Sequence, residues 1–253
     1  MTTMREEPRL SVAVFRPDDE RTTRAVALLE SLGADPVPDP MLAVEATGAR
    51  PRSDADYVVL TSKTGVELAT EAGWDPGDAT VCAIGRPTAD VLEDAGYAVD
   101  LVPEEYSSTG LVAALEDDVD GARVEVARSD HGSAVLTDGL EAAGTYVHET
   151  VLYRLVRPEG AGASTERAAA GDLDAALFTS SLTVRHFLAA ADERGLREEA
   201  IEGLNDAVVG AIGEPTRETA TDAGIDVDVV PDTADFETLA TTAVEAAAPS
   251  HRE

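Results

Sequence analysis

Two segments of this chain are near copies of each other. Residues 83–103 (AIGRPTADVLEDAGYAVDLVP) return as residues 211–231 (AIGEPTRETATDAGIDVDVVP) at a constant offset of 128, which is 211 minus 83, without a gap. Because matching residues recur in register, the chain carries one supersecondary unit twice. The fold must therefore accommodate two equivalent modules.

Each copy predicts a strand, a turn, a helix and a second strand. Short apolar runs, typical of strands buried on both faces, precede Gly85 and Gly213, where the backbone must turn. A proline two residues later suits the first turn of a helix. Each turn thus places a helix N-terminus and a threonine, Thr88 or Thr216, at the carboxyl end of a strand, which is where open α/β sheets bind ligands.

The rest of the chain alternates apolar runs with helical patterns. This order predicts an α/β fold with parallel sheets flanked by helices, arranged as two domains. Besides the repeats, we expect strands at 10–15, 57–60, 123–127, 146–156 and 175–178.

Several intervening segments predict no regular structure. The proline-dense residues 35–40 are typical of a linker, residues 43–53 look irregular, and residues 159–165 read as a surface loop. Two divisions into domains are open: a cut near Asp120, or a second domain entered near Leu42 and left near Leu155.

Composition excludes several function classes. The net charge is −31 and Lys63 is the only lysine, so no basic stripe is present to neutralise phosphates and we expect no nucleic-acid binding. The 43% hydrophobic content and regular apolar pattern argue against an acidic disordered chain. Such an acidic, lysine-poor chain is what a high-salt cytoplasm favours, because salt screens self-repulsion.

We expect neither membrane insertion nor export. No run approaches the roughly 18 to 20 apolar residues that span a bilayer, and residues 1–10 have no apolar leader. The single cysteine, Cys82, lies in an apolar run and is expected to be a buried hydrophobe. These features favour a cytoplasmic protein.

Strand ends in this chain are followed by turns rich in hydroxyls, glycines and bases. Helix N-termini and Ser/Thr hydroxyls are good binding groups for carboxylate or phosphate, although after strands they also serve as ordinary caps. The candidate binding residues are Arg16, Thr61, Ser62, Lys63, Gly85, Thr88, Ser107, Arg128, Thr179, Ser180, Ser181, Gly213 and Thr216.

No cofactor or metal site is expected. His131, His148, His186 and His251 are scattered without ligand spacing, and no dinucleotide fingerprint or P-loop is present. An enzyme with this sequence would work mainly by holding its substrate.

Taken together, seven segments resemble the uroporphyrinogen-III synthase family. No single motif is specific, but their order and spacing are. They are the first strand ending in Arg16-Pro17, LTSKTGV (60–66), AIGRPTADVLEDAGY (83–97), VPEEYSSTGLVAAL (102–115), ETVLYRLV (149–156), LFTSSLTVRHF (177–187) and AIGEPTRETATDAGI (211–225).

The resemblance implies two α/β domains joined by a two-stranded β linker. Domain 1 would comprise residues 1–38 and 158–253, and domain 2 residues 39–157, with linker strands near 37–42 and 150–156. It also implies cyclisation of hydroxymethylbilane to uroporphyrinogen III, with ring D inverted through a spiro intermediate, water lost and no cofactor. The product would supply haem, sirohaem or cobalamin synthesis.

The resemblance also implies site residues. Tyr153 matches a linker-strand tyrosine that assists loss of the hydroxyl as a general acid, although tyrosine also simply favours strands. The Thr-Ser turns and the threonines after Ile-Gly match family positions that hold substrate. Glu214-Pro215 departs from the Gly-Pro of many relatives, which argues against direct contact at Pro215. We expect a monomer, functionally coupled to hydroxymethylbilane synthase.

A second interpretation belongs to another class. A two-domain α/β protein could close on a small anion and regulate or bind without catalysis, because fold does not determine function.

Overall fold

The structure is a computed structural model, and it describes residues 9–17 and 19–248. The expectations for residues 1–8 and for His251 fall outside this range. The chain forms two compact units. Unit 1 is built from both chain ends, Met1–Ala43 and Val156–Glu253, and unit 2 is Val44–Leu155. A cut near Asp120 would pass through unit 2.

Strands and helices alternate along most of the described chain. In order they are β1 Ser11–Phe15, α1 Glu20–Ser31, β2 Asp35–Pro38, β3 Ala43–Ala46, β4 Tyr57–Leu60, α2 Lys63–Glu71, β5 Thr80–Ala83, α3 Arg86–Asp94, α4 Ser108–Leu115, β6 Arg123–Ser129, α5 Ala134–Ala142, β7 Tyr146–Val156, α6 Ala163–Ala169, β8 Ala175–Phe178, α7 Ser181–Arg194, α8 Arg197–Asn205, β9 Val208–Ala211, α9 Glu214–Asp222 and α10 Phe236–Ala247.

Each unit contains one sheet. The order is β2-β1-β8-β9 in unit 1 and β3-β7-β6-β4-β5 in the sheet of unit 2. The pairings β1–β2, β1–β8, β8–β9, β4–β5, β4–β6 and β6–β7 are all parallel. The predicted α/β class with parallel sheets flanked by helices is therefore confirmed.

Both faces of each sheet are covered by helices, which explains the continuous apolar runs. In β1, Ala13 and Phe15 pack into one core with α7, α8 and α9, while Val12 and Val14 pack into another with α1 and α10. In unit 2, Val58 of β4 packs with α2 and α3, and Val59 packs on the opposite face with α4 and α5.

The internal repeat is structural as well as sequential. β5 and α3 of the first copy correspond to β9 and α9 of the second copy, at the same offset of 128 residues. The Asp100 carboxylate accepts a hydrogen bond from Val81 N at 2.8 Å, and Asp228 accepts one from Val209 N at 2.8 Å. The strand, turn and helix predicted for each copy are therefore confirmed, and the two copies also share this side-chain contact.

The second strand predicted in each copy is wrong. Each is reduced to a single bridge, Cys82↔Leu101 and Gly210↔Val229. The Asp100 and Asp228 carboxylates occupy backbone donors of the neighbouring strand, so a continuous ladder cannot form there.

Three other segments are more ordered than expected. Residues 35–38 form the edge strand β2 instead of a linker, since an edge position tolerates prolines. β3 lies within the segment expected to be irregular. Of the linker strand expected near 37–42, only residues 37 and 38 lie in a strand, at the end of β2. The loop expected at 159–165 contains the start of α6, because the buried Asp39 carboxylate accepts from Gly162 N and Ser164 N at 2.8 and 2.9 Å.

Candidate functional site: two equivalent strand-end pockets

The two sheets bring an arginine and a threonine together at equivalent positions. In unit 1, Phe15 pairs with Phe178, and the next residues are Arg16 and Thr179. In unit 2, Ala127 pairs with Leu60, and the next residues are Arg128 and Thr61. Since parallel strands end at the same edge, each sheet presents these side chains together at its carboxyl end.

A pocket lies at this edge of each unit. The unit 2 pocket has a volume of about 200 Å³, and its walls are Thr61, Ser62, Ile84, Ser108, Arg128, Ser129, Gly132, Ser133, Leu136 and Tyr153. The unit 1 pocket has a volume of about 240 Å³, and its walls are Arg16, Pro17, Arg21, Leu42, Thr179, Ser180, Ile212, Ala234 and Phe236. Each copy of the duplicated unit therefore has a cavity at the carboxyl edge of its sheet.

A pair of hydroxyl groups lines the unit 2 pocket. Tyr153 comes from β7, its side chain is largely buried, and its hydroxyl donates to Ser62 Oγ at 3.0 Å. Ser62 is the N-cap of α2, and its Oγ also accepts from Gly65 N at 3.0 Å. Because Ser62 is held by the helix terminus, it fixes the direction of the phenol.

Arg128 in the same pocket is neutralised. Its side chain is buried, one terminal nitrogen donates to the Glu149 carboxylate, and the other donates to Ser133 O at 2.5 Å. Its stem packs on Gly132, where a Cβ would lie 2.3 Å from Arg128 Cδ. Arg128 therefore shapes this pocket and contributes little net charge to it.

Arg16, the equivalent residue of unit 1, is arranged differently. Its guanidinium lies over the Phe236 ring, 4.2 Å from the centroid, and no described carboxylate forms an ion pair with it. Burial, and then the neighbouring Arg21, lowers the pKa of the Arg16 guanidinium. Arg21 itself is paired with Asp19. Within the described residues, Arg16 is thus a cation at the pocket wall that forms no ion pair, although the nearby Asp19 carboxylate partly offsets the lowering of its pKa.

The repeat explains this difference between the pockets. At the offset of 128, Tyr106 and Ser108 of unit 2 correspond to Ala234 and Phe236 of unit 1. The equivalence holds in structure, because Ser107 is the N-cap of α4 and Asp235 is the N-cap of α10. One copy therefore places an aromatic ring beneath its arginine, whereas the other places a serine at the pocket wall.

Several predicted residues at this edge have hydroxyl groups that already form local hydrogen bonds. Ser107 Oγ accepts from Gly110 N, and Ser180 forms a capping box with Thr183. Thr179 donates to Phe15 O and Ser181 donates to Pro215 O, both at 2.7 Å. The Thr179 and Ser181 hydroxyls therefore retain only acceptor capacity unless these bonds break, whereas Ser180 Oγ accepts from Thr183 N and keeps its donor.

The remaining predicted residues contribute backbone or lie apart. Thr88 and Thr216 are buried in the first turns of α3 and α9, which begin after the N-caps Gly85 and Gly213. Lys63 is exposed at the start of α2 and does not line the unit 2 pocket. The structure thus brings Thr61, Ser62, Arg128 and Tyr153 together in one pocket, and Arg16, Thr179 and Ser180 in the other.

Sequence reasoning missed two residues that define these pockets. The Phe236 ring packs against the Arg16 guanidinium, and the Glu149 carboxylate neutralises Arg128. The sequence did contain a signal for Phe236. Extending the repeat five residues beyond Pro231 at the same offset makes Phe236 the counterpart of Ser108. Nothing in the sequence pairs Glu149 with Arg128, because the contact depends on the register of β6 and β7.

Two absences apply to the described part of the chain. No cluster of three or more His, Cys, Asp or Glu side chains could hold a metal ion there. No helix of that part is long and apolar enough to cross a membrane.

The fold and the pockets define a class: a duplicated α/β protein with a polar pocket at the carboxyl edge of each parallel sheet. The family profile of Uroporphyrinogen-III synthase HemD matches residues 23–241. A Methanothermobacter thermautotrophicus protein described as a candidate uroporphyrinogen-III synthase is 35% identical over 85% of this chain and 90% of its own length. This chain belongs to the uroporphyrinogen-III synthase family.

Solved structures agree on the fold. A mutant uroporphyrinogen III synthase of the extremely thermophilic bacterium Thermus thermophilus is similar with a TM-score of 0.66 and 21% identity, covering 94% of this chain and 98% of that one. The uroporphyrinogen-III synthetase of Helicobacter pylori is similar with a TM-score of 0.61 and 14% identity, covering 94% of this chain and all of that one, 100%.

Proposed function

We propose that this protein is a uroporphyrinogen-III synthase, a lyase that cyclises hydroxymethylbilane to uroporphyrinogen III with inversion of ring D and loss of water. The observation that carries the proposal is the pair of unequal strand-end pockets in a chain of this family. One holds the cation Arg16, which forms no ion pair within the described chain, and the other holds the Tyr153–Ser62 hydroxyl pair.

The unequal pockets suit two different tasks, anion binding in unit 1 and proton transfer in unit 2. The bilane carries eight carboxylates, so a guanidinium that forms no ion pair within the described chain is a favourable contact for one of them. A charge-assisted hydrogen bond of this kind is worth about 1.5 to 3 kcal/mol. In the unit 2 pocket, Arg128 binds anions more weakly because Glu149 compensates its charge. The neutral hydroxyl groups are therefore the reactive groups of that pocket.

Tyr153 is the proposed general acid. Its proton passes to the hydroxyl of the hydroxymethyl group while the C–O bond breaks, so that water leaves and an azafulvene cation remains. Ring D then attacks through its substituted carbon to give the spiro intermediate, which fragments and recloses with the ring inverted, and the proton released on closure returns to the Tyr153 phenolate. Ser62 orients the phenol before the substrate arrives, since Tyr153 donates to it at 3.0 Å.

Orientation is the larger part of the proposed catalysis. Unassisted closure of the same bilane yields the uninverted type I isomer, so the protein must favour attack by one particular ring carbon. Holding reacting groups in place can supply several kcal/mol of the barrier without a cofactor. The Ser180 and Ser62 helix caps and the Arg16 cation are fixed points for such positioning.

An isomer assay tests the proposal. Hydroxymethylbilane would be generated by a coupled deaminase in molar salt, and the products oxidised and separated by chromatography. A protein-dependent shift from type I to type III product is expected. Type I product alone from a folded sample would reject the synthase and leave the regulatory or small-anion binding protein as the alternative.

The working environment is part of the same proposal. The net charge of −31 suits a high-salt cytoplasm, where screening lets a polyanionic substrate approach an acidic surface. We expect a monomer that receives its unstable substrate from hydroxymethylbilane synthase. Sedimentation in molar salt and turnover with and without that enzyme held in excess would test these two points.

A further inference from the structure

β7 contains a β-bulge directly before Tyr153. Arg128 of β6 pairs with Val151, but the next residue of β6, Ser129, pairs with Tyr153, so Leu152 is an extra residue in β7. Bulges between parallel strands are rare, and bulges in general are frequent beside active sites, where they re-aim a side chain. The irregularity of β7 therefore coincides with the proposed general acid.

The bulge reverses the face of the sheet to which Tyr153 points. Successive residues of a regular strand point to opposite faces, and a shift of one residue moves all the following side chains to the other face. Val147 of β7 packs with α4 and α5, and an unbroken alternation would place Tyr153 on that face as well. Instead, Leu152 and Tyr153 both pack in the core with α2 and α3. The bulge thus brings the phenol to Ser62, at the N-terminus of α2.

Asp130 holds one edge of this bulge. β6 ends at Ser129, and Asp130, the next residue, contacts β7 with both its backbone and its side chain. Its N–H donates to Tyr153 O at 3.2 Å, and its Oδ1 accepts from Leu155 N at 3.0 Å. Burial raises the pKa of the Asp130 carboxyl, but the contacts with His131 and with Leu155 N lower it by more. Asp130 is therefore an ionised acceptor, which forms stronger hydrogen bonds than a neutral one.

Thr47 holds the opposite edge of the bulge. Its N–H donates to Leu152 O at 3.0 Å, and its hydroxyl donates to Val151 O at 2.7 Å, with Leu152 O also within reach at 3.0 Å. A bulge leaves its extra residue out of the regular ladder, so contacts of this kind give that residue one conformation. Thr47 and Asp130 thus fix the β7 backbone from both sides around Tyr153.

We propose that Asp130 is a positioning residue for the synthase reaction: by fixing the bulge of β7, it sets the direction in which the Tyr153 hydroxyl meets the substrate. This role rests on the proposed function, since Tyr153 must be the general acid. Asp130 acts only through Tyr153, because it is not among the residues that line the unit 2 pocket. A small displacement of a reacting group lowers the rate of reaction far more than it weakens binding. The expected signature is a lower kcat at an almost unchanged KM.

A double-mutant cycle with Tyr153→Phe tests the proposal in the isomer assay. Asp130→Ala removes the acceptor for Leu155 N, so kcat should fall about tenfold or more while KM changes by less than about threefold. In the Tyr153→Phe protein the same change should lower kcat by less than about twofold, because the phenol through which Asp130 acts is absent. Asp130→Asn keeps an oxygen that can accept from Leu155 N, and its kcat should lie within about threefold of wild type.

Asp100→Ala is the matched control. Asp100 is another exposed aspartate of unit 2 whose carboxylate accepts from a strand N–H, that of Val81 at 2.8 Å, and it lies outside the pocket. Its replacement should lower the unfolding temperature as Asp130→Ala does and leave kcat unchanged. If Asp130→Ala does not fold, Thr47→Val takes its place, because it removes the hydroxyl at the other edge of the bulge and should lower kcat only where Tyr153 is present.

The outcomes separate the positioning role from the reaction itself. Type I product alone from the wild-type protein would reject the synthase and this role with it, and wild-type turnover in Tyr153→Phe would reject both the general acid and its positioning. If wild type is active and Tyr153→Phe is impaired, an unchanged kcat in Asp130→Ala would overturn the positioning role alone. An equal loss of kcat with and without the Tyr153 hydroxyl, or an equal loss in Asp100→Ala, would overturn it too. The same criteria apply to Thr47→Val where that variant is used.

Discussion

Replacing Tyr153 with phenylalanine removes one hydroxyl group from the unit 2 pocket and leaves the ring in the core. The lost bond to Ser62 is neutral, so the free energy of unfolding should fall by only about 1 kcal/mol. Ser62 keeps its bond from Gly65 N, so the start of α2 is preserved. Turnover should fall far more, by about a hundredfold or more, because positioned general acids contribute about 10² to 10⁴.

The assay follows type III and type I products together. In Tyr153→Phe we expect a lower kcat with KM within about threefold, and a larger type I fraction because unassisted closure competes. Tyr97→Phe is the matched control, since its hydroxyl donates to Trp74 O at 2.9 Å in the same core and outside the pocket. Tyr97→Phe should lower the free energy of unfolding by a similar amount and leave turnover unchanged. If Tyr153→Phe keeps wild-type turnover, the general-acid role is refuted.

Three further predictions follow from particular contacts. Arg16→Gln should raise KM about ten- to a hundredfold with a smaller change in kcat, and initial rates over a substrate series would measure this; an unchanged KM would remove Arg16 from substrate binding. Burial raises the pKa of Cys82 to about 12, so a thiol reagent should label the protein at pH 8 only after unfolding in urea. Because the folded pKa exceeds that of the unfolded thiol, this group should lower stability as pH rises above about 8.5, and labelling of the folded protein at the rate of a free thiol would contradict the burial. Gly85→Ala should cost about 1 kcal/mol more than Gly213→Ala in urea unfolding, because its Cβ would lie 2.8 Å from Tyr106 Cγ, whereas nothing lies within 4 Å at Gly213; equal losses would show that the ring moves aside freely.

The elements that were predicted correctly are those that depend on residues close to one another in the sequence. The buried strands β4, β6 and β8 were readable from short apolar runs, and β7 from its long alternation. The helix starts at Ser62 and Ser180 follow from capping by side chains adjacent in sequence. Residues in these elements would make the same local bonds in many surroundings.

The elements that were missed depend on distant partners. The N-terminus of α6 forms around Asp39, more than a hundred residues away, which turns an Ala/Gly-rich loop into a helix. β2 is a strand only because β1 has a free edge that tolerates Pro36 and Pro38. The second strands of the repeat failed to form because Asp100 and Asp228 take the donors that a ladder would use.

The sequence by itself determined the duplication, the α/β class, the family and the strand-end location of the candidate residues. Repeats, helix caps and apolar runs can be recognised directly as patterns in the sequence. The tertiary structure alone decided that Arg16 lies on Phe236 while its counterpart Arg128 is neutralised by Glu149, and that Tyr153 meets Ser62. Charge compensation and hydrogen-bond direction depend on strand register and on side chains distant in sequence, so two copies of one module acquire different chemistry.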